Sequence, residues 1–282
     1  MLKTYCRMVK IEHSIFALPF ALIGLFLAAS GWPGWDRLLL VGLAMVAIRS
    51  FAMGVNRLLD RRIDARNPRT RNRPLVTGEM SVAQAWSLTL AMGIVFVLSC
   101  AGLNQTCLLL SPLALIWSGL YSYSKKLTWL CHFWLGSVLG LAPVGGWLAY
   151  EPRLALPAVM FFFGVLFWVA GFDILYSCQD RDFDRSLGLK SAPACLDLPG
   201  SLHLSTLSHL LASLFFLLAG WTASLGGVYF VVWFLVSALL LFEHRLVSAD
   251  DMSRVNLAFF TLNGVIALVL CLGVLADLFL MY

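Results

Sequence analysis

Leu38-Leu39-Leu40-Val41-Gly42-Leu43-Ala44-Met45-Val46-Ala47-Ile48-Arg49-Ser50-Phe51-Ala52-Met53-Gly54-Val55-Asn56-Arg57-Leu58-Leu59-Asp60-Arg61-Arg62-Ile63-Asp64 is an apolar run interrupted by Arg49, and from Asn56 it turns polar, with acids at Asp60 and Asp64. Its apolar part is long enough for a membrane helix, which needs about 20 such residues to cross a ~30 Å hydrocarbon core. The remainder of the chain has the same character. Of 282 residues, 60% are apolar and 12% charged, and the mean hydropathy is +0.85. Soluble domains carry nearer ~25% charged residues. Polar surface is too scarce here to cover a water-soluble globule, and disorder is excluded for the same reason. The composition describes a polytopic membrane protein.

Nine segments are long and apolar enough to span: 14–30, 37–56, 82–101, 106–124, 130–150, 154–176, 205–222, 224–243 and 257–280. The expected fold is all-α, nine transmembrane helices in one bundle, with residues 1–282 forming a single integral-membrane domain. Seventeen of the twenty lysines and arginines fall in the N-terminus and the connections 57–81, 125–129, 177–204 and 244–256. The opposite side holds Arg37 and Arg153, and Arg49 lies within a span. This asymmetry places the N-terminus and the four basic connections in the cytoplasm, and the C-terminus outside. Lys3, Arg7 and Lys10 before the first apolar run resemble a signal peptide, but no cleavage site with a soluble mature region follows, so the segment reads as the first anchor. The seven cysteines are odd in number and lack metal spacing, which fits apolar packing residues better than disulfides. The long connections after spans two and six suggest two similar halves.

Asn56, Asp60 and Asp64 are spaced i, i+4, i+8, so on a helix they form one stripe spread over about 80°. Span six ends in a second set, Asp173, Asp180 and Asp184, at i, i+7 and i+11, within about 40° of one another. Five carboxylates gathered together would repel unless cations joined them. Hard divalent cations take oxygen ligands, and Mg²⁺ combines one or two carboxylates with water and substrate phosphate. Acidic stripes beside basic residues therefore point to a diphosphate held through Mg²⁺, against the plainer reading of solvated helix ends paired with arginine. Tyr121 and Lys125, Arg69 and Arg73 in a loop bounded by two prolines, and Lys190 fit the diphosphate reading. Taken singly, each is also explained by the basic cytoplasmic bias. Arg49 lies seven residues before Asn56 on nearly the same face and about 10 Å deeper. A charge at that depth is costly and usually faces an internal cavity; a structural salt bridge is the alternative.

At these residues the chain resembles the UbiA superfamily of intramembrane aromatic prenyltransferases. The resemblance rests on N-x₃-D-x₃-D (Asn56, Asp60, Asp64) and D-x₂-Y-x₃-D-x₃-D (Asp173, Tyr176, Asp180, Asp184). The R-T-x-N-R-P-L run from Arg69 to Leu75 and the Y-x₃-K pair of Tyr121 and Lys125 also match, and the likeness covers nearly the whole chain. Two departures are Leu59, at a position that varies, and segment 192–200, where no ligand can be assigned. The resemblance implies a nine-helix bundle with a cytoplasmic active site, expected in a bacterial inner membrane. Two Mg²⁺ ions would join Asn56, Asp60, Asp64, Asp173, Asp180 and Asp184 to a polyprenyl diphosphate. Arg69, Arg73, Tyr121, Lys125, Tyr176 and Lys190 would help hold that substrate, whose tail would leave into the lipid bilayer. Arg49 would clamp the carboxylate of an aromatic hydroxy acid. No nucleic acid and no obligatory protein partner are implied.

Departing pyrophosphate would leave an allylic cation, stabilised by metal and cationic side chains, for attack by a phenol carbon ortho to the hydroxyl. Asp60 is the favoured proton acceptor or phenol-orienting group, and Asp173 is the second catalytic carboxylate. Phe133, Trp134, Phe161, Phe162, Phe163, Phe167 and Trp168 offer either a pocket lining or ordinary packing. The segments 10–19 and 256–264 are similar to the branch labelled 4-hydroxybenzoate polyprenyltransferase-like. The expected acceptor is 4-hydroxybenzoate, as in ubiquinone-type quinone biosynthesis. The alternative is 1,4-dihydroxy-6-naphthoate, in the futalosine route to menaquinone. Both are hydroxylated aromatic acids, so one arginine clamp serves either. A membrane transporter would account for Arg49 and the two-half pattern, but not for acidic ridges gathered at the cytoplasmic end.

Overall fold

The computed structural model describes residues 1–10, 16–246 and 261–280. The expected start of the first span at 14–15, much of segment 10–19, residues 256–260 and Tyr282 lie outside the described residues. In chain order the helices are α1 (Leu2–Val9), α2 (Leu18–Ala29), α3 (Trp35–Leu59), α4 (Arg61–Asp64), α5 (Pro74–Thr77), α6 (Val82–Leu103), α7 (Gln105–Leu127) and α8 (Cys131–Leu148). They continue with α9 (Leu156–Ser177), a 3₁₀ turn (Cys178–Asp180), α10 (Arg181–Ser186), α11 (Ala192–Cys195), α12 (Leu198–Thr222), α13 (Gly227–Leu246) and α14 (Asn263–Leu280). No strand occurs among the described residues. Eight of these helices are long and apolar enough to cross a membrane, and α2 is a shorter apolar helix, in agreement with nine expected spans.

Local chemistry sets the helix ends. Ser81 and Gln84 form a reciprocal capping box that starts α6. Asp197 accepts the Gly200 N–H and starts α12 seven residues before its expected apolar run. Prolines occupy the first turn of α2, α5, α9, α11 and α12, where the absent N–H has no intrahelical partner to lose.

The chain divides into two compact units, Met1–Ser14 with Trp35–Ser122, and Ile15–Gly34 with Tyr123–Tyr282. In the first unit α1 packs on α3 and α5, and α3 packs on α6. Tyr5, Met8 and Val9 share a small core with Leu75, Met80 and Ala85. In the second unit α2, α8, α9, α12, α13 and α14 close a ring, each packed on the next and α14 returning to α2. Glycines permit the close approaches within it. A Cβ on Gly24 or Gly146 would meet the Pro143 or Ala21 carbonyl, and one on Gly136 would meet that of Leu166.

The aromatic residues of α9 serve that packing. Phe161 and Trp168 are fully buried against Phe20 and Phe216 from α2 and α12, while Phe163 and Phe167 stack on Phe215. Acids within the last two spans are also used structurally. Glu243 accepts from the Asn263 amide, and Asp277 accepts the Gly226 and Tyr229 N–H groups at the start of α13.

Candidate active site

Each acidic motif breaks its helix at the middle aspartate. The reading of two continuous helical ridges is corrected here: α3 stops at Leu59 and α4 resumes at Arg61, while α9 gives way to the 3₁₀ turn before α10. Asp60 has φ −93°, ψ 5° and Asp180 has φ −98°, ψ 6°. Both therefore lie in the sparsely populated bridge region, and each precedes a short helix that carries the motif's last aspartate. The shared backbone form supports the internal repeat suggested by the sequence.

In the first unit, Asp60 N–H donates to the Asn56 carbonyl at 2.9 Å and Asp64 N–H to that of Asp60 at 2.8 Å, so helical pitch survives the break. Asn56 Nδ2 donates to Asp60 Oδ2 at 2.9 Å, and Arg57 Nη1 donates to Asn56 Oδ1 at 2.9 Å. Asp64 is buried, and Arg73 Nη1 reaches both its oxygens at 2.6 Å. The loop that delivers Arg73 is tied down because Thr70 Oγ1 donates to the Asp64 carbonyl and Asn67 Oδ1 accepts the Arg69 N–H. The Arg69 side chain is exposed. Tyr121 Oη contacts Met53 Sδ at 3.8 Å. Arg49 Nη1 donates to the carbonyls of Val9 and Lys10 at the end of α1, where cations complement the helix dipole. This contact of the intramembrane charge with backbone carbonyls is not foreseen from the sequence.

In the second unit, Asp184 is fully buried. Its Oδ2 accepts from Ser191 Oγ at 2.6 Å and lies 2.8 Å from Lys125 Nζ. Its Oδ1 is buried with no hydrogen-bond partner. Asp173 Oδ2 lies 2.7 Å from Nδ1 of the buried His132. Asp180 is buried and Tyr176 half-buried. Lys190 Nζ donates to the Leu127 carbonyl, at the end of α7, rather than to an acid of the motif.

The two motifs are thus built alike. The last aspartate of each is buried on one cation, Arg73 for Asp64 and Lys125 for Asp184. Reading the sequence missed Arg57, His132 and Ser191. Arg57 adjoins Asn56 within a run of arginines and could have been singled out. His132 is a lone histidine 41 residues from Asp173, and no spacing joins the two.

An all-helical membrane protein with paired acidic motifs, each holding a cation in advance, is the class that fold and site define. The chain belongs to the UbiA prenyltransferase family, whose model matches residues 17–265. It is 28% identical over 277 residues to the 4-hydroxybenzoate octaprenyltransferase of Shewanella woodyi, covering 97% of this chain and 96% of the relative. It is 31% identical over 237 residues to the enzyme of that name from Haemophilus ducreyi, covering 84% and 85%. The apo structure of a UbiA homologue from Aeropyrum pernix K1 superposes with a TM-score of 0.86 at 36% identity, covering 95% of this chain and 98% of that one. A UbiA homologue from Archaeoglobus fulgidus, solved with GPP and Mg²⁺, shares the fold at a TM-score of 0.75 and 20% identity, covering 98% and 99%.

Proposed function

We propose that this integral membrane enzyme transfers a polyprenyl group from its diphosphate to a hydroxylated aromatic acid, 4-hydroxybenzoate before 1,4-dihydroxy-6-naphthoate. The whole chain acts as one catalytic domain. The observation that carries this reading is Asp184, a buried carboxylate beside Lys125 whose Oδ1 has no hydrogen-bond partner. Such an oxygen is costly to bury unless something else satisfies it. The donor chemistry fits Mg²⁺, because the motifs offer carboxylate and amide oxygens. Among the described residues no three His, Cys, Asp or Glu side chains converge as a ready ligand set. Mg²⁺ takes one or two protein carboxylates and completes its shell with water and phosphate. Mg²⁺ would neutralise charge developing on the departing pyrophosphate. Asn56, Asp60, Asp64, Asp173, Asp180 and Asp184 are the proposed ligands of two such ions.

The remaining steps belong to side chains. Arg73 and Lys125, now on Asp64 and Asp184, are the proposed diphosphate cations, with Arg69, Tyr121 and Tyr176 around them. Lys125 is preferred to Lys190, whose amine bonds Leu127. Arg49 orients the acceptor's carboxylate, and its planar fork suits that geometry. Asp60 takes the phenol proton or orients the hydroxyl, and Asp173 serves as the second carboxylate. The surrounding apolar helices keep water from the allylic cation.

The proposed orientation sets the N-terminus, 57–81 and 177–204 in the cytoplasm of a bacterial inner membrane, and the C-terminus outside. No obligatory protein partner or nucleic acid enters the scheme. The test is a membrane assay pairing hydroxyaryl acids with prenyl diphosphates and reading prenylated product by mass. Product with 4-hydroxybenzoate supports the reading, and no product with any pair overturns it.

A further inference from the structure

His132 and the strap Lys190-Ser191-Ala192 tie together three groups of the second acidic motif. The Lys190 N–H donates to the Lys125 carbonyl at 2.7 Å, on the residue whose amine pairs with Asp184. Ser191 Oγ donates to Asp184 Oδ2 at 2.6 Å. The Ala192 N–H donates to His132 Nε2 at 3.1 Å. A backbone N–H only donates, so Nε2 carries the lone pair and the ring proton sits on Nδ1. Nδ1 is 2.7 Å from Asp173 Oδ2, to which it donates. Ser191, Ala192 and His132 are all buried, so water does not compete for these bonds.

We infer that His132 is a positioning residue for Asp173, held in one tautomer by the Ala192 backbone, and that the strap sets Asp173, Asp184 and Lys125 as one unit. This rests on the proposed Mg²⁺-diphosphate chemistry. The His132 donor occupies Oδ2 of Asp173 and fixes the carboxylate's rotation, leaving Oδ1 to serve as the ligand. Segment 192–200, in which the sequence offers no ligand, thus acts through its backbone. Its first residue chooses the histidine tautomer, and the residue before it holds Asp184.

The test uses the purified full-length protein, Mn²⁺ as a paramagnetic probe and geranyl thiodiphosphate as an inert substrate, with bound Mn²⁺ read by electron paramagnetic resonance. His132→Leu should weaken Mn²⁺ binding by about 10–100-fold, the usual effect of losing a partner of a metal ligand. It should lower kcat similarly and leave the KM for the aromatic acid unchanged. His132→Asn sets an amide donor near the former Nδ1 position and should restore most of the Mn²⁺ affinity. His132→Gln sets its amide one carbon further out and should restore less. If His132→Leu does not fold, the Asn and Gln variants decide by the same order. Wild-type affinity in His132→Leu, or equal loss in the Asn and Gln variants, overturns the inference while leaving the proposed function standing. Absence of Mn²⁺ binding in the wild type sinks both.

Discussion

Replacing Lys125 by alanine removes the cation 2.8 Å from Asp184 Oδ2 and leaves a carboxylate that is 1% exposed with one hydroxyl donor. At that separation, with an effective dielectric constant of ~20, the attraction is about 6 kcal/mol. The net effect is smaller. Breaking a buried ion pair by deleting one partner costs about 3–5 kcal/mol, and the Lys125 side chain is 35% exposed, so water already screens it. We expect Lys125→Ala to cost about 2–3 kcal/mol of stability, mostly as a stranded carboxylate. Asp184→Asn removes the charge that Lys125 answers. The double variant should therefore be little worse than Asp184→Asn alone, with an interaction energy of about 1–3 kcal/mol. Reversible unfolding in mixed micelles, without substrate or metal, measures all four corners of the cycle. Additivity within ~0.5 kcal/mol would refute a pre-formed Lys125–Asp184 pair.

Asp64→Asn and Asp173→Asn should each lower Mg²⁺-dependent turnover by at least ~100-fold with the protein still inserted; a steady-state assay with a fold check by gel filtration reads both. Arg49→Ala should raise the KM for the aromatic acid far more than that for the prenyl diphosphate, Arg49→Lys should rescue in part, and a phenol without the carboxylate should be indifferent to the change. The opposite KM pattern would move Arg49 to the diphosphate. Gly146→Leu should destabilise by about 1–3 kcal/mol or more, because a side chain there meets the Ala21 backbone; thermal unfolding in detergent checks it. A reporter fused after Tyr282 should be active only on the non-cytoplasmic side, as the distribution of basic residues requires.

Hydropathy located the membrane helices well because burial in lipid is a property of each segment alone. The run expected at 82–101 is the helix Val82–Leu103, and Ser81 with Gln84 announces its start. Hydropathy failed where helices leave the apolar layer. It missed the first turns of α12, which carry Ser201 and His203 and owe their start to Asp197. The acid spacings identified the motifs, but ideal helical periodicity could not foresee the bridge conformations of Asp60 and Asp180 that divide each ridge. The pairing of Asp64 with Arg73 is local and readable. His132 on Asp173 and Arg49 on the α1 carbonyls join residues about forty positions apart, and depend on how helices pack.

Pyrophosphate and prenylated acid counted together in one reaction test the central claim most directly. Purified protein in lipid vesicles would be given a prenyl diphosphate, 4-hydroxybenzoate and Mg²⁺. The account predicts pyrophosphate and carbon-prenylated acid in equal amounts, both abolished by chelation and restored by added Mg²⁺. Undiminished product in the presence of chelator, or pyrophosphate release with no prenylated acid, would contradict it.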